Sequence, residues 1–248
     1  MNNKDSDNDM AVEIVRQVKL LHAKSLRDLK SVSDNMYTQI ESLTWLQKRL
    51  SIKGELPPLR GWPVSPDFLL RLHKYITKVK PRIVVEFGSG ASTLVISDAL
   101  RQNGFGKLVS FEHLIKYYEI TNSYLTEEFL SPWVELRLET LSEWNGYHLA
   151  ETLKGEDKLY WYPTSYFKHI DGVDLMVVDG PPSDTCMYAR YPAVPALYDS
   201  LNDGAQVWMD DSRRDEEKEV CRVWATKYNM TLSSFSLEKG LTVLEKIS

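Results

Sequence analysis

The chain has 248 residues, enough for one α/β domain with an appendage and for a core that needs no disulfide staples. Its 30 lysines and arginines against 35 aspartates and glutamates leave a net charge of −5, without the basic footprint that nucleic-acid binding requires. Only Cys186 and Cys221 are present, too few for a disulfide framework, and no apolar run approaches the roughly 20 residues that span a bilayer, so a cytoplasmic protein is expected, with neither nucleic acid nor membrane as partner.

The polar, acidic opening Met1-Asn-Asn-Lys-Asp is unlike the basic and then apolar start of a signal peptide. Residues 10–50 contain no glycine or proline and place Val15, Val18, Leu29, Val32, Met36, Leu43, Leu46 and Leu50 near a three-and-four spacing. That predicts one or two long amphipathic helices in an N-terminal extension over residues 1–55. His22 and Ser25 interrupt the seam, which suits either a lid or buttress on the main domain or a homo-oligomer joined through this arm.

A proline-punctuated connector follows, in which Ser65 can cap a helix with Pro66 at its first position and Phe68, Leu69, Leu72, Tyr75 and Ile76 as its buried face. The rest of the chain forms a second region, residues 56–248. Apolar runs at 82–87, 107–112, 133–138, 174–179 and 205–210 alternate with helical patterns around 91–102, 114–129, 187–201 and 213–228. Two further runs, from Met230 and from Leu241, flank a Glu-Lys-Gly turn. The expected fold is α/β: a doubly wound, mostly parallel seven-stranded sheet with a C-terminal antiparallel hairpin strand. Between 139 and 172 the alternation lapses in favour of Trp144, Tyr147, His148, Tyr160, Trp161, Tyr162, Tyr166, Phe167 and His169, which could line a substrate cleft or form a hairpin over the core.

The most telling stretch is Pro81-Arg-Ile-Val-Val-Glu86-Phe-Gly88-Ser-Gly90-Ala-Ser92-Thr93, an apolar strand that ends in an acid, a glycine turn and a helix start. Glycines let backbone approach a ligand closely, and the free N–H groups of such a turn suit electron-rich atoms. A dinucleotide fingerprint would place glycine or alanine where Thr93 stands. Glu86 instead suits a cationic, amine-bearing ligand such as S-adenosylmethionine.

Glu86-Phe87-Gly88-Ser89-Gly90 resembles the first motif of the class I S-adenosylmethionine-dependent methyltransferases, and later motifs follow in order across residues 56–248. Lys107–Glu112 ends in a carboxylate where that family binds the ribose hydroxyls. Val173–Pro182 is similar to the motif that closes over the cofactor beside the methyl group. Ala205–Asp211 resembles the acidic strand end of metal-dependent O-methyltransferases. The resemblance implies cofactor contacts from Glu86, Phe87, Gly88, Ser89, Gly90, Ser92, Thr93, Glu112, His113 and Asp179. It also implies methyl transfer to a hydroxyl of a small-molecule or saccharide acceptor, as in bacterial glycan and natural-product O-methyltransferases. In that family the segment before the first strand often covers the cofactor, which makes Trp62 either a roof residue or an aromatic packed in a linker.

An alcohol is a poor nucleophile until it loses its proton, and a divalent cation such as Mg2+, held by carboxylates, lowers the hydroxyl pKa. Asp179, Asp210 and Asp211 stand at the ends of two strands that should finish at the same sheet edge, which makes them candidate metal ligands. Asp211 and Ser212 are equally good N-caps for the following acidic helix, and Asp179 alone could orient cofactor or substrate. The best-known metal-dependent pattern has a catalytic lysine where this chain has Pro182, so the general base is unassigned. Asp179 and Arg190 are the candidate catalytic residues, Arg190 as a clamp for an acidic group of the acceptor. An NAD-dependent oxidoreductase and a non-catalytic, cofactor-binding partner protein are the alternatives.

Overall fold

The computed structural model describes residues 3–147, 149 and 158–247, with side chains from residue 13 onward; His148 lies outside them. Helix α1 (Asn3–Gln47) is followed by α2 (Pro66–Val79), β1 (Ile83–Phe87), α3 (Ala91–Asn103), β2 (Lys107–Glu112), α4 (Ile115–Glu127) and β3 (Val134–Leu138). A small ribbon, β4 (Ser142–Glu143) with β5 (Tyr160–Trp161), precedes β6 (Val173–Val178), α5 (Ala193–Leu197), β7 (Leu201–Asp210), α6 (Asp215–Lys227), β8 (Met230–Phe235) and β9 (Leu241–Lys246).

The main sheet has seven strands in the order β3-β2-β1-β6-β7-β9-β8. All neighbours are parallel except β9, which runs antiparallel to both β7 and β8. Successive side chains of a strand point to opposite faces, so Val84, Leu175 and Val177 pack with α2 and α3 in one core layer. Val85, Phe87, Met176 and Val178 pack in the other, with Trp161, Tyr162, Phe167 and α6 residues. Burial on both faces explains why these central strands read as continuous apolar runs. The chain leaves β1 toward β2 on one side and meets β6 on the other. The switch point between β1 and β6 is where open α/β sheets bind ligands.

Several expectations need correction. The helix expected over 187–201 is instead a run of turns followed by the five-residue α5. Pro192 and Pro195 remove backbone donors there, and Tyr188 takes a positive φ of 53°, which ends regular helix. Strand β7 starts at Leu201 rather than 205, with a register shift opposite Val173 and Leu175. Strand β6 stops at Val178, which leaves Asp179 just beyond the strand. Ser65 does occupy the N-cap of α2, but its hydroxyl donates to Asp67, whose Oδ1 accepts from the Phe68 N–H instead. The aromatic segment divides: Trp161, Tyr162 and Phe167 are buried against Phe87 and Phe111, whereas Tyr147, Tyr166 and His169 are exposed, and none of these six lines the cleft above the turn after β1.

The N-terminal extension is one helix, and it is only partly a buttress. Its C-terminal turns bury Ser42 and Leu46 beside α2, with Gln39 exchanging hydrogen bonds with Asp67. Residues 13–34 are exposed throughout. No described helix is long and apolar enough to cross a membrane.

Candidate active site

The turn after β1 is built by close contact between two loops. Gly88 has φ +91°, and a Cβ on it would stand 2.9 Å from Gly180 N, so no side chain fits. Phe87 O accepts from both Asp179 N (3.0 Å) and Gly180 N (2.7 Å), and Gly88 N donates to Phe111 O at 2.9 Å. These bonds fix the ends of β1, β2 and β6 relative to one another.

Glu86 lies beneath this turn. Gly90 N donates to Thr93 Oγ1 at 2.9 Å, Thr93 Oγ1 donates to Glu86 Oε2 at 2.6 Å, and Ser110 Oγ donates to the same oxygen at 2.7 Å. Burial pushes the Glu86 carboxyl up to about 7, against the opposing pull of these hydroxyls. Glu86 and Thr93 therefore brace the turn from within, and Phe87 belongs to the core; none of the three lines the cleft.

Glu112, at the end of β2, does line it. Its Oε2 accepts from Ser89 N (3.1 Å) and Ser89 Oγ (3.0 Å), and its Oε1 from His113 N (2.8 Å) and Leu114 N (2.9 Å). Burial alone would raise its pKa, but the bonds from His113, Leu114 and Ser89 hold it below the usual value. A carboxylate has about four acceptor sites, and all four are engaged. Ser89 Oγ also lies 3.2 Å from Thr121 Oγ1, which offers it a second partner besides Glu112.

The cleft above the turn has a volume of about 670 Å³, within the range of small-molecule sites. Gly88, Ser89, Gly90, Ser92, Glu112 and His113 form one end; Asp179, Arg190, Asp211 and Arg214 form the other. Nothing lies within 4 Å of where a Cβ on Gly90 would stand, so the turn stays open to a ligand on that side. Trp62 lies on the cleft wall, its ring 5.6 Å from that of Tyr117. The residues fit a ligand with an aromatic base, a diol and a cationic end, as S-adenosylmethionine has.

At the other end Asp179, Asp210 and Asp211 each present a carboxylate oxygen within 4.8 Å of the others. Arg190 enters from the 183–191 turns. Its Nη2 lies 2.9 Å from Asp211 Oδ2 and 3.4 Å from Asp179 Oδ1, and its Nη1 donates to Asp210 O. Arg214 Nη1 is 3.1 Å from Asp211 Oδ2 and 3.6 Å from Glu217 Oε1. The N-cap of α6 is Arg214, and Asp211 has φ 55°, so the capping role expected for Asp211 and Ser212 is not taken.

Neither Asp210 oxygen meets a well-aligned hydrogen-bond donor among the described residues, although Asp210 is fully buried and the Asp211 N–H lies near its carboxyl. Burial, then the charges of Asp179 and Asp211, drive its pKa far up; burial also raises Asp179 and Glu217. Four carboxylates here face two guanidinium groups. Two protons or one divalent cation would balance the excess, and a set of hard oxygen donors fits an ion such as Mg2+.

Lys239 is a residue that sequence reasoning missed. From the turn between β8 and β9 its Nζ donates to Gly61 O (2.7 Å), Trp62 O (3.2 Å) and Pro63 O (2.8 Å), pinning the connector beside the cleft. Only the Glu-Lys-Gly turn signalled its place, and nothing in the sequence linked that turn to Trp62. The cleft residues Tyr117, Ile120 and Thr121 of α4 were also missed, because their helix shows no marked polar motif.

A family model for a methyltransferase domain matches residues 85–212. No curated protein matches the chain by sequence. Among solved structures, the O-methyltransferase TomG from Streptomyces achromogenes, in complex with S-adenosylmethionine, is 17% identical with a TM-score of 0.55, over 87% of this chain and 96% of that one. The O-methyltransferase from Bacillus cereus, in complex with S-adenosylhomocysteine, is 16% identical with a TM-score of 0.52, over 88% and 96%. The S-adenosylhomocysteine-bound methyltransferase PaMTH1 of Podospora anserina is 14% identical with a TM-score of 0.53, over 85% and 88%. At these identities the likeness speaks for the fold. The matched segment covers just over half the chain and spans the glycine turn and all three aspartates, so the chain belongs to this methyltransferase-domain family and has the fold of a class I S-adenosylmethionine-dependent methyltransferase.

Proposed function

We propose that this protein transfers a methyl group from S-adenosylmethionine to a hydroxyl of a small-molecule or saccharide acceptor, in the cytoplasm. The observation that carries the reading is one continuous cleft that joins Ser89, Gly90 and Glu112 to Asp179, Arg190 and Asp211. The crystallised relatives named as O-methyltransferases support it.

When bound, the cofactor supplies an electrophilic methyl carbon on a sulfonium. Ser89 and Glu112 would hold its ribose, the Gly88–Gly90 turn would admit its amino-acid end, and Trp62 and Tyr117 would flank its base. Asp179, at the end of the cleft shared with Arg190 and Asp211, orients the acceptor hydroxyl, since rate here depends on in-line placement. Without a cation, its raised pKa makes it a better proton acceptor than a free carboxylate. Arg190 keeps Asp179 and Asp211 in place. A divalent cation held by Asp179, Asp210 and Asp211 would lower the pKa of the acceptor hydroxyl.

The test is transfer of a 13C-labelled methyl group from S-adenosylmethionine to a panel of phenols and saccharides, read by NMR. The reading expects an oxygen-bound methyl signal that Asp179→Asn abolishes. A nitrogen- or sulfur-bound methyl product, or full activity in Asp179→Asn, would overturn it.

A further inference from the structure

We propose that the exposed part of α1 pairs antiparallel with the same segment of a second copy of this chain. Ile14, Val18, Leu21, Leu29, Val32 and Met36 follow a regular four-three-four spacing, with Ser25 completing the series, and so occupy one straight stripe of the helix. Each of the six is 56–65% exposed. At 1.5 Å per residue, the segment 13–34, exposed throughout, is about 33 Å long. The stripe and its polar flank offer on the order of 700 Å² per copy, close to the ~800 Å² per partner of a stable interface.

Charge selects the occupant and its direction. Lys24 and Asp28 stand four residues apart on the same flank of the stripe. In an antiparallel pair with its axis near residue 26, like flanks meet. Lys24 then faces Asp28 of the second copy, and Asp28 faces Lys24 of the second copy. A parallel pair would set this flank against the one carrying His22 and Ser33, which offers no countercharge. The small Ser25 beside the axis leaves room for Leu29 of the second copy.

Sedimentation equilibrium of the full chain tests the pairing. We expect a dimer, with the double variant Leu21→Glu, Leu29→Glu weakening it at least tenfold while melting temperature and S-adenosylhomocysteine affinity stay unchanged, because the stripe lies off the domain core. Lys24→Glu and Asp28→Lys should each weaken the dimer, and the two together should restore it. A chain that stays monomeric at concentrations on the order of 100 µM would overturn the proposal and leave a different protein or a surface as the occupant. A dimer indifferent to the stripe substitutions, or a charge-swapped double variant that stays weak, would equally overturn it.

Discussion

Arg190 Nη2 lies 2.9 Å from Asp211 Oδ2, and both side chains are nearly out of solvent. The contact links the turns before α5 to the end of β7 across the mouth of the cleft. Breaking it from the arginine side leaves Asp211 only the half-exposed Arg214 and leaves Asp179 with no guanidinium, and stranding buried charge in this way typically costs about 3–5 kcal/mol. Arg190→Met should therefore destabilise the fold by about that amount in urea denaturation. A loss below about 1 kcal/mol would show that solvent or another group already screens Asp211.

Glu86 sets a pH dependence. Its folded pKa, pushed up to about 7, lies above the ordinary 4.5. Between those values the native state holds a proton that the unfolded chain releases, so stability falls as pH rises through the window. The loss amounts to about 3 kcal/mol by the upper end, at ~1.4 kcal/mol for each pH unit between the two values. Glu86→Gln cannot ionise, and its stability curve should be flatter between about pH 4.5 and pH 7. Parallel curves for the two proteins would contradict the assignment.

Lys239 acts on the cleft through the connector it holds. Lys239→Met removes three hydrogen bonds from a charged donor, and S-adenosylhomocysteine should bind about tenfold more weakly, since bonds of this kind are worth ~1.5 kcal/mol or more. Trp62, already 60% exposed, should change its emission as the connector loosens, and urea stability should fall by about 1–2 kcal/mol because the bonds are made in the unliganded chain. Unchanged affinity and emission would mean the roof is held by packing alone.

Much of the fold was legible because its physics is local or periodic. The central strands are buried on both faces and read as apolar runs; the glycine turn after β1 was also legible, although what demands glycine at position 88 is its close approach to Gly180 and not to a ligand. The turns before α5 were illegible: Tyr188 to Leu197 carries apolar residues at helical spacing, and only Pro192 and Pro195 argue otherwise. Convergence of Asp179, Asp210 and Asp211 followed from parallel strand ends. That Arg190 and Arg214 would neutralise part of the cluster did not follow, because those contacts span residues with no fixed spacing. The brace formed by Glu86 was hidden for another reason: the same acid can face a ligand or the inside of its own turn.

The cation reading has its own test. Chelation should abolish methyl transfer while S-adenosylhomocysteine affinity stays within about twofold, and added Mg2+ should restore the rate. Asp210→Asn should cost about tenfold or more in metal-supported rate. If Asp210 instead carries a proton, the asparagine variant will be active and indifferent to chelator.

Calorimetric titration of S-adenosylhomocysteine, with NAD as the comparison ligand, into the full chain and its Glu112→Gln variant decides whether this cleft binds S-adenosylmethionine through the glycine turn and Glu112. S-adenosylhomocysteine should bind, about tenfold to a hundredfold more weakly in the variant because a charged acceptor is lost to the ribose hydroxyls, and NAD should give no heat. Absence of S-adenosylhomocysteine binding, or tighter binding of NAD, would contradict that assignment.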